Sequence, residues 1–103
     1  MESYSESNGV ISSSYISSIN TGSGSGPVSV AVSGNYVYVA NSGNNTLESF
    51  SISSGVISSS PISNIAIGSR PSSVTVSGNY VYVVNGIANT LLSYSESNGV
   101  ISS

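Results

Sequence analysis

Apolar residues come in short runs separated by serine, glycine and asparagine, and the spacing of those runs is the first structural signal. Pro27–Val32 (PVSVAV) and Pro71–Val76 (PSSVTV) alternate with period two, which predicts a strand with one more apolar face. Ser-Gly-Asn follows each of them, a combination suited to a tight hairpin with a residue at positive φ. Asn35–Asn41 (NYVYVAN) and Asn79–Asn85 (NYVYVVN) carry Tyr and Val on both parities, which predicts a strand buried on both faces. Loops rich in Asn and Gly lead from there into TLESFSI and TLLSYSE. Ser-Gly or Asn-Gly then turns the chain into a fourth and most polar strand, Gly55–Ser63 (GVISSSPIS) in the central unit. No helical period appears, so the expected fold is all-β.

The runs repeat. SGNYVYV occurs at Ser33–Val39 and again at Ser77–Val83, an offset of 44 residues. VISSS occurs at Val10–Ser14 and Val56–Ser60, an offset of 46, and VISS returns at Val100. The two-residue difference lies in one linker, Ile19–Pro27 (INTGSGSGP) against the shorter Ile65–Pro71 (IAIGSRP). The same spacing places SYSESNGVISS at Ser3–Ser13 and, letter for letter, at Ser93–Ser103. The chain is therefore two repeat units with an overlap. Four short antiparallel strands recurring every 40–50 residues or so are the pattern of a β-propeller blade. The polarity gradient agrees: a first strand of small residues beside the central channel, an apolar second strand and a polar strand at the rim. A parallel β-solenoid would have shorter coils and fewer hairpins, and a two-layer sandwich would not explain two nearly identical units. The expected division is residues 3–19 as third and fourth strands of a shared blade, 27–67 as one complete blade, and 71–103 as the first three strands and part of the fourth strand of the shared blade.

P-x-x-V-x-V, then G-N-Y-V-Y-V-x-N, N-T-L-x-S-[FY]-S, G-V-I and G-S-R-P together resemble the YVTN-type propeller repeat. They are also similar to the blades of lactonase-like seven-bladed propellers, and the resemblance covers essentially the whole chain. It implies the fold, since such motifs specify packing and turns. It does not carry an activity, because the charged and His residues of lactonase-like channels are missing here. Ala40 and Val84 also stand where the family often has Thr before Asn.

Two blades cannot close a ring, because propellers have about four to eight. The expected ring is closed by oligomerisation, with the chain itself as partner and a trimer or tetramer as the assembly. In that ring the N-terminal fourth strand of one copy completes the C-terminal blade of its neighbour. Identical ends also have the look of a segment excised or engineered from a longer repeat array.

Composition narrows the chemistry. The 103 residues include no Cys and no His, and the four acidic residues are all glutamates: Glu2, Glu6, Glu48 and Glu96. Arg70 is the single cation, and the net charge is -3. One cation argues against nucleic acid, which needs several phosphate contacts, and against docking on anionic membranes. No apolar run approaches the roughly 18 residues of a membrane span. The N-terminus lacks the basic and apolar regions of a signal peptide, and the compartment stays open. Without His, Cys or Asp, acid–base, thiolate and metal chemistry have almost nothing to use. The expectation is accordingly no enzyme, no catalytic or metal residue and no cofactor.

Glu6 and Glu96 share one repeat position and read as solvated strand ends, and Glu48 reads as exposed or at an edge because Leu92 takes its place in the next unit. Asn41, Asn44, Asn45, Asn85 and Asn89 read as turn and cap formers, and Asn44-Asn45-Thr46 fits the N-glycosylation sequon. Arg70 precedes Pro71 in the linker to an innermost strand, where Gly26 is its counterpart. It is the candidate anion contact at the channel mouth. The function expected from all this is a non-catalytic, self-assembling propeller unit. The alternative is a secreted or cell-surface, adhesin-like propeller that binds a glycan or protein through its loops.

Overall fold

The structure, a computed structural model, describes residues 1–7, 10–11, 17–18, 24, 26–68, 70–86 and 88–102. Every regular element among them is a strand. Four two-residue strands open the chain: β1 (Glu2–Ser3), β2 (Glu6–Ser7), β3 (Val10–Ile11) and β4 (Ser17–Ser18). β1 pairs with β4 and β2 with β3, both antiparallel. The fourth strand expected over residues 9–19 lies outside the described residues except for these short pairings.

A first large sheet follows, made of β5 (Pro27–Ser33), β6 (Tyr36–Asn41), β7 (Thr46–Ser53), β8 (Val56–Ile57) and β9 (Ser63–Ala66). The order is β5-β6-β7-β8, with β9 also on β7. β8 and β9 are two arms of one outer strand: β8 pairs with Ile52–Ser53 and β9 with Thr46–Ser49. The break between the arms holds Pro61, which has no N–H for a ladder and is tolerated at an edge or bulge. The second large sheet is β10 (Ser73–Ser77), β11 (Tyr80–Asn85), β12 (Thr90–Ser97) and β13 (Val100–Ser102), paired in that order.

The turns follow the sequence closely. Gly34 and Gly78 open the first hairpin of each sheet at φ +58° and +59°. Ser54-Gly55 and Asn98-Gly99 open the last one with both residues at positive φ, the arrangement that matches the right-handed twist of the flanking strands. Asn41 and Asn85 end the second strands, and each donates from Nδ2 to the hydroxyl that opens the third strand, Thr46 at 3.1 Å and Thr90 at 3.3 Å. They cap the loop, as expected, but from fully buried positions.

The N-terminal pieces repeat the outer part of the first sheet. Glu2 faces Ser18, Ser3 faces Ser17, Glu6 faces Ile11 and Ser7 faces Val10. Glu48 faces Asn64, Ser49 faces Ser63, Ile52 faces Ile57 and Ser53 faces Val56. The two registers are the same pattern displaced by the 46-residue offset of the sequence.

The two large sheets stack face to face. β10 runs beside β5, and the Ser29 hydroxyl accepts the Val74 N–H at 3.2 Å. The core between the sheets is Tyr38, Ala40 and Leu47 from the first sheet against Val74, Val81, Val83 and Ile101 from the second. A second cluster, Val37, Val39, Phe50 and Ile57, fills the opposite face of the first sheet, with Met1 and Ile52 packed on it. Burying side chains of this size contributes about 1.5–3 kcal/mol each.

Candidate functional site: two complementary sheet faces

In an antiparallel sheet, directly opposed residues share a face. On the first sheet one face is therefore Val30, Val32, Val37, Val39, Glu48 and Phe50, and the other is Ala31, Tyr36, Tyr38, Ala40 and Leu47. In the second sheet the same two faces reappear 44 residues on. The first is Val74, Val76, Val81, Val83, Leu92 and Tyr94; the second is Thr75, Tyr80, Tyr82, Val84 and Leu91.

Within the chain, the Val74–Tyr94 face of the second sheet covers the Tyr36–Leu47 face of the first. Different faces meet, so the contact is head to tail. It leaves one face of each kind without its partner sheet. Val74 is 6% exposed while its counterpart Val30 is 54% exposed; Leu47 is 0% exposed while its counterpart Leu91 is 68% exposed. Tyr80 and Val84 are exposed beside Leu91, and Val28 and Val32 beside Val30. The expectation of Tyr-Val strands buried on both faces thus holds for β6, whereas β11 is covered on one face only.

Polar contacts pin the stack. The Tyr38 hydroxyl donates to Glu96 Oε2 at 2.8 Å. Burial, and then this bond to a carboxylate, push the Tyr38 phenol well above its ordinary pKa. Glu96 Oε2 also accepts the Gly99 N–H at 3.3 Å, so Glu96 is a partly buried link between sheets rather than a solvated strand end. The Ser49 hydroxyl donates to the Gly99 carbonyl. A Cβ on Gly99 would sit 2.6 Å from the Tyr36 ring and 2.7 Å from Ile62, so only glycine fits there.

The same serine contact occurs once more: Ser3 Oγ donates to the Gly55 carbonyl at 2.5 Å. Ser3 corresponds to Ser49 and Gly55 to Gly99, so the N-terminal pieces sit on the first sheet as the first sheet sits on the second. Met1 fills the Leu47 position of that layer. Among the described residues that layer has no first or second strand, and the open space beside Val30 forms clefts of about 210 and 270 Å³.

Glu48 departs from its expected exposure. It is 4% exposed, with Asn41 Nδ2 donating to Oε1 at 2.8 Å and Asn64 Nδ2 to Oε2 at 3.2 Å. Desolvation raises its pKa, and the Asn41 bond offsets part of that rise. The Oδ1 atoms of Asn41, Asn45 and Asn85 are buried without a hydrogen-bond partner among the described residues. Asn44 is exposed, and its Oδ1 accepts the Thr46 hydroxyl at 2.6 Å. Arg70 is exposed on a cleft of about 330 Å³ lined by Val28, Ser42, Pro71, Ser72 and Gly86. Among the described residues no group of three or more acidic or His side chains gathers as a metal site would require.

Residues 27–47 and 69–89 match the LVIVD repeat, a repeat associated with β-propellers. Each match spans the first two strands of a large sheet. No curated protein matches the chain.

Proposed function

We propose that the chain is a non-catalytic, self-assembling β-propeller unit, of the YVTN-like blade type, that closes a ring with other copies and exchanges strand segments between chains. The observation that carries this reading is the pair of faces without a partner sheet: Tyr80, Val84 and Leu91 on the second sheet, and Val28, Val30 and Val32 on the first, beside Val37, Val39 and Phe50 under Met1. Each is the repeat counterpart of a face buried inside the chain, so the contact already present between the two sheets can be formed again between copies. Such a head-to-tail contact closes into a ring or runs on as a filament, depending on its rotation. The fan of sheets, nearest at β5 and β10, favours the ring. Large exposed apolar faces are otherwise unusual on a soluble chain.

Three or four copies would supply six or eight blades, joined by contacts between apolar faces. It is not a perfect copy of the internal one. Ile52 stands where Glu96 accepts the Tyr38 hydroxyl, so the neighbour's Tyr82 meets an aliphatic side chain instead. In the ring one Arg70 per chain circles the mouth, where its guanidinium and the Ser42 and Ser72 hydroxyls suit a small anion.

Two variants test the head-to-tail geometry. Val30→Glu spoils one face and Leu91→Glu the other, and each alone should give a folded monomer. Mixed together they retain one intact face each and should form a one-to-one dimer. Two monomers that ignore each other, or variants that assemble like the parent chain, would rule the arrangement out.

A further inference from the structure

The outer edge of the second sheet is half finished. In the first sheet the outer strand has two arms, β8 on Ile52–Ser53 and β9 on Thr46–Ser49. Among the described residues the second sheet has only the first arm, as β13 on Ser95–Ser97. Thr90–Ser93 pairs with β11 on one side and, among the described residues, with nothing on the other. An unpaired edge of this kind is a template for another strand.

We infer that this edge takes Ser17–Ser18 of a second copy, antiparallel, with Leu92 opposite Ser18 and Ser93 opposite Ser17. The fourth strand of the C-terminal sheet is then composite, its first arm from its own Val100–Ser102 and its second from the neighbour. The inference rests on the assembly reading above and adds to it the edge, the register and the contact that is given up.

Three observations converge on that register. Ser17–Ser18 already pairs with Glu2–Ser3 inside its own chain. Those two positions lie 90 residues before Leu92–Ser93, at the spacing by which the chain repeats itself, so the backbone that holds Ser17–Ser18 in one chain is reproduced at the open edge. The connections agree as well. In the first sheet β9 leads through Ile67–Pro71 into the first strand of the next sheet. β4 precedes β5 in the same way, and β5 carries the exposed Val face on which the neighbour's second sheet would stack.

The exchange therefore swaps like for like: a two-residue pairing within the chain for the same pairing between chains. Leu91, 90 residues after Met1, takes the place of Met1 over Val37, Val39 and Phe50. The gain is the coverage of Tyr80, Val84 and Leu91 on one copy and of Val28, Val30 and Val32 on the other.

The chain has no cysteine, so disulfide trapping has no background. Opposed residues in adjacent strands lie within disulfide reach. A chain with Ser17→Cys mixed with a chain with Ser93→Cys, under mild oxidation, should shift to the linked heterodimer on non-reducing gels. Ser17→Cys with Ser97→Cys, four positions along the same strand, should show little of that product. The double variant Ser3→Cys/Ser17→Cys, oxidised within one chain, should lose the oligomer and recover it on reduction. Equal linkage at positions 93 and 97, or a parent chain that assembles while the 17–93 link never forms, would overturn the register and leave the assembly standing. A parent chain that stays monomeric would remove the assembly reading itself.

Discussion

Tyr-Val-Tyr-Val occurs twice, at Tyr36–Val39 and Tyr80–Val83, and the two copies live in different surroundings. In the first, Val37, Tyr38 and Val39 are all buried, because Met1 packs on one face and the second sheet covers the other. In the second, Val81 and Val83 are buried while Tyr80 is exposed and Tyr82 half-buried. The strands have the same residues and the same hairpins. What differs is how many sheets lie against them. Burial at these positions is therefore a property of the stack.

Substitutions at paired positions should pull the two copies apart, and they are best made in the Val30→Glu background, in which the proposed assembly should not form. Tyr38→Ala removes a fully buried ring and the donor to Glu96, and large-to-small changes of this kind cost about 3–5 kcal/mol. Tyr82→Ala should cost far less in that background, and in the parent chain it should weaken assembly. Chemical denaturation of the monomer and sizing of the oligomer separate the two effects. Equal losses of monomer stability would mean that the two strands share one environment.

Glycines give a smaller contrast. Gly34→Ala and Gly99→Ala both place an L side chain at positive φ, at about 1–2 kcal/mol. Nothing lies near the Gly34 Cβ position, whereas at Gly99 the Tyr36 ring and Ile62 must move, which adds an overpacking cost of about 1–3 kcal/mol. The expected order in thermal melts is parent, Gly34→Ala, Gly99→Ala. A reversed order would place the Asn98-Gly99 turn away from the first sheet.

The smallest effect concerns Glu48, whose counterpart is Leu92. Its carboxyl pKa is raised in the fold by desolvation, so the native chain holds a proton there that the unfolded chain releases first. That stabilisation is complete below the ordinary carboxylate pKa and is lost as the pH climbs through the raised value. Glu48→Gln should flatten the fall in stability across this window and leave stability at lower pH nearly unchanged. An identical pH profile for the two chains would contradict the buried environment.

Much of the fold was legible in the residues. The Tyr-Val strands, the hairpin glycines and the 44- and 46-residue offsets all correspond to pairings and turns of the structure. Glu48 was not legible, because the amides that receive it belong to Asn41 and Asn64 on flanking strands, while local sequence offers only a charge at a position that tolerates Leu. Glu96 was hidden for the same reason, its partner Tyr38 being 58 residues away. The break of the outer strand at Pro61 had a signal that reads either as an edge proline or as a bulge. The C-terminal copy of the repeated end is more than a duplicate. Ile101 is 5% exposed in the core between the sheets, and Gly99 is wedged against Tyr36, so Gly99–Ser102 is needed where it stands.

The central claim is that the two open faces find each other between chains. Sedimentation equilibrium of the parent chain at micromolar concentration tests it most directly. The expected result is a single species of three or four copies with no detectable free chain. A stable, folded species of one chain, at 10.3 kDa, would contradict it.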